Sequence, residues 1–587
     1  MENIRFIFTD PENVSTFKDR VLEDEWQWVY CGVDSNVREA VKSILGSENR
    51  FFFAQDLQRL CLLKKEEFLN WVTCWEKDQD MIIGIGSLIA YKSPLGSDLF
   101  LNYCYMLLTQ EWIKEDRKML IVLENPWLLK ACSENFHRSD IQIFLRHTYF
   151  LKKCFKGSLM ANLRLLSKAW YSMVLLSSVK VHYLMSKLRP LVELEDAADV
   201  FTCTWIEERS FKGGQFQDPY LGNLNAFYEK EGLRTKTLSL PLFPRVLLTS
   251  VLQNANIIPM IYFSSFSDIF YSFYRTLTVN PTRKVNSING LDLTCLLDDA
   301  STAGKDVVFQ STLNYHCFLR FFKQPGLSFS ALVYPFENQP WDKVMIKAMR
   351  DSGRVFKGVG YQHSTISPLL LNYFLGKGED KVISLPDAIV ANGKHWASVL
   401  KNARYSCPIE NGGSLRFTPR AKTVDLKNDP HNIRHENEDN VLVLLSASLW
   451  YSLDLLYFVL SSAQTNRTYL IKPHPDISER IIRKNIPHFP DNFIFIEGSM
   501  DECMAKAGWA VHIGTTAAFE CMMKGLTVFK YLPERIDLDP LLGLDIEQRI
   551  VTDHDELDFS YKAQSDEVDN SLIAEPFNED AWKEILK

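Results

Sequence analysis

Toward the end of the chain, the apolar run Thr468-Tyr-Leu-Ile471 leads straight into Lys472-Pro-His-Pro475. Proline cannot donate to a sheet ladder, so Pro473 and Pro475 end a strand and stiffen the loop after it. That loop presents a cation, Lys472, and an imidazole, His474, beside Pro475, all suited to phosphate oxygens. Further on, Val511-His-Ile513 is followed by Gly514-Thr-Thr516-Ala-Ala-Phe-Glu520. A turn of small residues opening a helix offers N–H groups and hydroxyls to an anion. Glu520 lies four residues after Thr516, on the same helix face, where its carboxylate can accept both hydroxyls of a ribose. Ser446 and Ser448 close another apolar run, Val441-Leu-Val-Leu-Leu445. They either face the same phosphate or cap the next helix. Together these residues read as a nucleotide clamp.

A second constellation precedes it. Tyr334-Pro-Phe-Glu337-Asn-Gln-Pro-Trp341 and Gly360-Tyr-Gln-His363 each follow a strand-like run. Glu337 and His363 would stand on adjacent strand ends as an acid/base or substrate-orienting pair. Upstream, Trp205-Ile-Glu-Glu-Arg209 and Asp218-Pro-Tyr-Leu-Gly222 add Glu207, Glu208 and Asp218. Asp218 before proline also suits an ordinary turn. The Asp-x-Asp strings, such as Asp537-Leu-Asp539, end no strand that would make a site, and no metal is expected. The chain has no P-loop, G-x-S-x-G elbow or H-E-x-x-H motif.

The elements that must position these residues read as α/β throughout. With 587 residues, two to four domains are expected. An apolar share of 46% and a charged share of 24% suit a soluble globular protein, and a net charge of −8 gives no case for nucleic acid. The 12 cysteines are scattered without zinc or C-x-x-C spacing and read as buried thiols of a cytoplasmic protein. The first ten residues carry acidic groups early, so no signal peptide is expected. No apolar stretch reaches the ~18–20 residues of a membrane span.

The divisions expected are an N-terminal α/β region (1–140), a basic amphipathic helical connector (141–196), a Rossmann-like acceptor and catalytic domain (197–419), a polar linker (420–440) and a Rossmann-like nucleotide domain with a C-terminal helix (441–587). Ile4–Phe8, Trp28–Cys31, Phe51–Phe53, Met81–Ile85 and Met119–Leu123 read as strands in the first region. Thr235–Leu240, Val307–Gln310, Phe329–Val333, Phe356–Gly360 and Ala388–Ala391 read as strands in the catalytic domain. Residues 141–192 hold no Asp or Glu but nine Lys or Arg, from Arg146 to Arg189. They read either as a helical hairpin on an anionic membrane surface or as a connector packed on its neighbour.

The K-P-H-P and G-T-T-A-A-F-E segments resemble the nucleotide-binding half of GT-B glycosyltransferases. They are most similar to bacterial enzymes of capsule and lipopolysaccharide assembly that use CMP-activated sugars, the sialyl-, polysialyl- and Kdo-transferases. Phe336–Trp341, Gly360–His363, Pro386-Asp-Ala-Ile-Val-Ala-Asn-Gly393 and Lys472–Pro475 also resemble bacterial surface carbohydrate biosynthesis proteins, over about residues 195–560. The resemblance implies that His474, Pro475, Thr515 and Thr516 meet the CMP phosphate. It further implies transfer of a sugar such as Kdo or a nonulosonic acid to a glycan or glycolipid acceptor, with no cofactor beyond the nucleotide-sugar substrate. A retaining route would use an aspartyl adduct, for which Asp218 is a candidate; an inverting one would use Glu337 or Asp218 as base. A nucleotide-sugar epimerase or polyol-phosphate transferase of the same fold, or a non-catalytic assembly subunit, are the alternatives. The expected location is the cytoplasm, at the inner face of the plasma membrane if 141–192 lies on lipid.

Overall fold

The computed structural model describes residues 3–8, 14–15, 26–185, 198–278, 284–415, 439–544, 546, 548–560 and 572–586. Three all-parallel sheets organise them. The first holds β1 (Ile4–Phe8), β2 (Gln27–Cys31), β3 (Met119–Leu123) and β4 (Ile141–Phe144) in the order β2-β3-β1-β4. The second holds β5 (Val200–Thr204), β6 (Thr235–Ser239), β7 (Ile257–Pro259), β8 (Ala331–Pro335), β9 (Lys357–Gln362), β10 (Ala388–Ala391) and β11 (Ile409–Asn411). Its order is β7-β6-β5-β8-β9-β10-β11. The third holds β12 (Val441–Leu444), β13 (Tyr469–Lys472), β14 (Phe493–Phe495), β15 (Trp509–His512), β16 (Thr527–Tyr531) and β17 (Arg549–Val551). Its order is β14-β13-β12-β15-β16-β17.

In both larger sheets the strand order runs outward from the first strand and then restarts on its other side. This is the doubly wound Rossmann order, with a crevice at the restart. Helices cover both faces of each, which is why strands such as Ala331–Pro335 and Val441–Leu444 are buried along their whole length. The expected pair of Rossmann-like units after an N-terminal α/β unit is present.

Several elements differ from their sequence reading. Met81–Ile85 is helical (Met81–Gly86), and Val307–Gln310 lies inside the helix Lys305–Phe322. That helix buries Phe309, Leu313, Cys317 and Phe321, a helical spacing that a four-residue window cannot show. Phe51–Phe53 is not a strand; it leads into the helix Ala54–Lys77. Of the two readings of 141–192, the hairpin is not seen among the described residues, which form the strand β4 and one long helix, His147–Met185; Lys187 and Arg189 lie outside the described residues. So does nearly all of the 420–440 linker.

The C-terminal helix Glu579–Ile585 was expected with the nucleotide unit but packs on the second sheet. Trp582 is fully buried among Val200, Tyr361 and Val390, and its indole N–H donates to the Gly412 carbonyl at 3.1 Å. The returning strap also pairs with the second unit through Ser414 N–H to Glu575 O, 2.8 Å, and Glu575 N–H to Asn392 O, 3.0 Å. Burying a Trp outweighs sequence proximity here.

The N-terminal unit touches both Rossmann units through buried charges. Toward the second, the Lys92 ammonium meets Glu379 at 2.6 and 2.8 Å, and Lys343 lies 3.9 Å from Glu76 and 3.8 Å from Glu379. Toward the third, Arg50 meets Glu534 at 2.7 Å and Asp553 at 2.9 Å. Asp454 there bridges Arg38 at 2.9 Å and Arg535 at 2.8 Å. Most of these buried charges have a close partner, as burial requires; Glu76 is the exception, its oxygens without a hydrogen bond and its pKa pushed up to about 8 by burial and then by Glu379.

Candidate functional site

Strand register brings the candidate residues together. In the second sheet Pro335 on β8 pairs with Tyr361 on β9. Glu337 and His363 each stand two residues beyond that line, on neighbouring strands about 4.8 Å apart. Their side chains meet, His363 Nε2 lying 3.4 Å from Glu337 Oε1.

The Phe336–Trp341 string builds this corner residue by residue. Phe336 lies against the face of Gly360, where an added Cβ would come within 2.9 Å of its ring. Asn338 takes the left-handed conformation (φ 52°), which Asn tolerates. Its amide donates to Asn372 O at 2.7 Å, and Asn372 donates back to Glu337 O at 2.6 Å. The Gln339 amide donates to Glu337 Oε2. Pro340 starts the next helix, and Asp342 in its first turn accepts the Glu337 N–H at 3.2 Å. The sequence shows Asp342 as a helix start after Pro340 but not as a member of the site.

This packing decides the proton affinity of the corner. Burial, with the Asp342 charge second, pushes Glu337 up to about 8. Burial likewise pushes Asp342 up to about 7. A carboxyl taken out of water keeps its proton longer.

Asp218 anchors a loop. Its Oδ1 accepts the Tyr220 N–H at 2.8 Å, the Leu221 N–H at 2.9 Å and the Thr204 hydroxyl at 3.3 Å. The loop sets the Tyr220 ring edge-on to His363, 5.2 Å between centroids. The Tyr220 hydroxyl donates to Glu207, and Arg209 reaches that hydroxyl at 3.0 Å and Glu207 at 2.5 Å. Tyr220 and Arg209 are not singled out by the sequence; only tertiary placement brings Tyr220 to His363 and Arg209 to Tyr220.

In the third sheet Leu444 on β12 pairs with Lys472 on β13 and with His512 on β15. Ser446, His474 and Gly514 therefore stand two residues beyond one line on three adjacent strands, at the point where the strand order restarts. Gly514 has φ +110°, and a Cβ there would approach the Asp539 backbone N at 3.2 Å. Its N–H donates to His512 Nδ1 at 3.1 Å; His512 is fully buried and orders the turn.

His474 Nδ1 accepts the Asp476 N–H at 3.2 Å, which leaves Nε2 as the proton-bearing nitrogen of a neutral ring. Burial lowers its pKa; Asp476 opposes this, and the positive charge of Arg209 adds to it. Arg209 belongs to the second unit, and its charge reaches His474 on the third. Lys472 donates to the Gly498 carbonyl at 2.7 Å. Pro475 is exposed. The Thr515 hydroxyl accepts the Ala517 N–H at 3.3 Å, while Thr516 occupies the cap position without a side-chain cap bond. Glu520 is half-buried one turn on, its pKa raised by burial and then by Asp501.

Ser446 accepts the Ser448 N–H at 3.3 Å. Ser448 lines a cavity of about 490 Å³ shared with Asp98 and Arg535, between the third unit and the N-terminal one. The register thus brings Glu337 with His363, and Ser446 with His474 and Gly514; it turns Ser448 toward the N-terminal unit. Among the described residues no group of three His, Cys, Asp or Glu is placed to hold a metal ion.

No protein-family model matches the chain, and no curated protein matches it. Solved structures do. A UDP-GlcNAc 2-epimerase from Neisseria meningitidis, bound to UDP-GlcNAc, is 10% identical over 56% of this chain and 81% of its own, with a TM-score of 0.29. Acinetobacter baumannii MurG is 11% identical over 61% and 86%, with a TM-score of 0.33. A UDP-glucosyltransferase from Polygonum tinctorium is 10% identical over 60% and 85%, with a TM-score of 0.30. Likeness at this level carries no inference about substrate or chemistry, which must come from the geometry of the two sets of strand ends.

Proposed function

We propose that the chain is a GT-B-type glycosyltransferase. It moves a sugar from a nucleotide donor, CMP-linked and of the Kdo or nonulosonic-acid kind, to a surface-glycan acceptor. The observation that carries this reading is the pair of register lines: Glu337 and His363 end one Rossmann unit, and His474 with Gly514 ends the other, opposite Arg209.

On this reading the nucleotide lies on the third unit. His474 Nε2–H and the Gly514–Thr516 turn meet its phosphate as it leaves, and Glu520 meets the ribose. Fixed donors of this kind stabilise a departing anion without reorganisation. The acceptor hydroxyl approaches the Glu337–His363 corner. Ionised Glu337 takes its proton as the oxygen attacks the anomeric carbon, and a pKa of about 8 suits a base working near neutral pH. Asp218 serves this step by holding the Tyr220 loop against His363.

Calorimetry with CMP, UDP and NAD tests the nucleotide half. CMP should bind best, and His474→Ala should weaken that binding roughly 10- to 150-fold; unchanged binding would sink the assignment. The two-Rossmann build also suits a nucleotide-sugar epimerase. Conversion of a donor with no acceptor present would favour that reading.

A further inference from the structure

The long helix His147–Met185 packs one face and leaves the other bare. Ala161, Leu165, Ala169, Ser172, Leu175, Leu176 and Val179 are buried. On the opposite side Leu151, Phe155, Leu159, Leu163, Leu166 and Trp170 recur every three or four residues and are 44–70% exposed. That stripe runs about 28 Å at 1.5 Å per residue. The helix carries no acidic residue, and Lys152, Lys156, Arg164 and Lys180 are exposed on it.

A second helix continues the surface. Phe266–Thr278 exposes Phe266, Phe270, Tyr271, Tyr274 and Leu277, at 45–63%. Its charged residues are engaged elsewhere, Asp268 with Arg320 at 2.9 Å and Arg275 with Asp80 at 2.7 Å. The two helices pack on each other and on Lys305–Phe322, above one shared core. Their bare faces therefore both point away from that core. Fifteen of the 25 exposed large apolar residues among the described ones lie on these two helices. A water-facing patch of this size marks an interaction surface.

We infer that this two-helix face seats the protein on an anionic lipid surface. Three features choose lipid. The apolar stripe of His147–Met185 is flanked by cations, and that helix carries no acid, which is the pattern of an interfacial helix. Phe155, Trp170, Tyr271 and Tyr274 supply the aromatic side chains favoured at a headgroup boundary. No helix among the described residues is long and apolar enough to cross a membrane, so the contact is parallel to the surface. The local positive charge also stands against the chain's net −8, which confines attraction to this face.

Co-sedimentation of the full chain tests it, using phosphatidylcholine vesicles with and without phosphatidylglycerol. Binding should require the anionic lipid and weaken as salt rises. Leu163→Glu with Trp170→Glu, and separately Phe270→Glu with Tyr274→Glu, should each weaken it at least tenfold. Lys152→Glu with Lys156→Glu should lower it toward the neutral-lipid level. Brominated lipid should quench a fluorescence component that Trp170→Phe removes, a readout that needs no acidic variant to fold. Absence of binding to either vesicle, or binding indifferent to these changes, would overturn the inference. A concentration-dependent dimer dispersed by Trp170→Glu would also overturn it, by showing a second copy on the face. CMP binding is measured on the same samples without lipid, so failure here stays distinct from failure of the transferase reading.

Discussion

The two strand-restart points are built alike and finished differently. In the second unit the corner is tightly packed: Phe336 fills the space over Gly360, Asn338 and Asn372 lock the backbone, and Glu337, its side chain 19% exposed, and Asp342 hold their protons unusually late. In the third unit the corner is partly open: Pro475 and Asp476 are exposed, His474 is half-buried, and the groups on offer are a turn, hydroxyls and a neutral imidazole. On the proposed reading, the same topology thus serves proton transfer on one side and an anion on the other. Side-chain packing around the strand ends makes the difference, because desolvation shifts a carboxyl whereas an anion needs donors that can be reached.

The largest expected effect breaks the second corner alone. Glu337→Gln should lower turnover by about 10²–10⁴-fold, the usual range for a lost general base, while CMP affinity, measured by calorimetry, changes less than threefold. The wild-type rate should rise with pH through about 8 as Glu337 ionises; a rate falling across that range would make Glu337 an acid. His474→Ala is the mirror experiment. Losing a charge-assisted hydrogen bond of about 1.5–3 kcal/mol should weaken CMP roughly 10- to 150-fold, with little effect on the pH at half-maximal rate. Equal effects of both variants on both readouts would erase the distinction between the corners.

The paired glycines sharpen it further. Gly360→Ala should press on Phe336 and cost about 1–3 kcal/mol in chemical denaturation, with loss of turnover ahead of CMP binding. Gly514→Ala, strained at φ +110°, should instead weaken CMP first. The smallest effect is in stability against pH. Glu337 and Asp342 bind protons more tightly folded than unfolded, so their contribution is whole below about pH 4 and lost as pH rises through 7 to 8. Glu337→Gln should flatten that decline in denaturant melts between pH 5 and 8.

Much of this was legible in the residues. The strands of the third unit were readable as apolar runs, because a parallel strand buried on both faces must be apolar along its length. Lys472-Pro-His-Pro475 marked a strand end because proline cannot continue a ladder. Short windows failed where burial was equal but periodicity was hidden, as at Met81–Ile85 and Val307–Gln310. The three-residue edge strands β7, β11 and β17 left too little pattern to see.

The sequence by itself determined which groups could do chemistry and that they would stand at strand ends, since local sterics and alternating apolar runs act over a few residues. Tertiary structure alone decided which of them meet. It set Glu337 beside His363, turned Ser448 toward the N-terminal unit, engaged Lys472 with a carbonyl and brought Arg209 opposite His474. It also sent Trp582 back to the second sheet and left the face of His147–Met185 bare. Register, desolvation and the choice of buried face depend on contacts between residues far apart in the chain, and no local pattern encodes those.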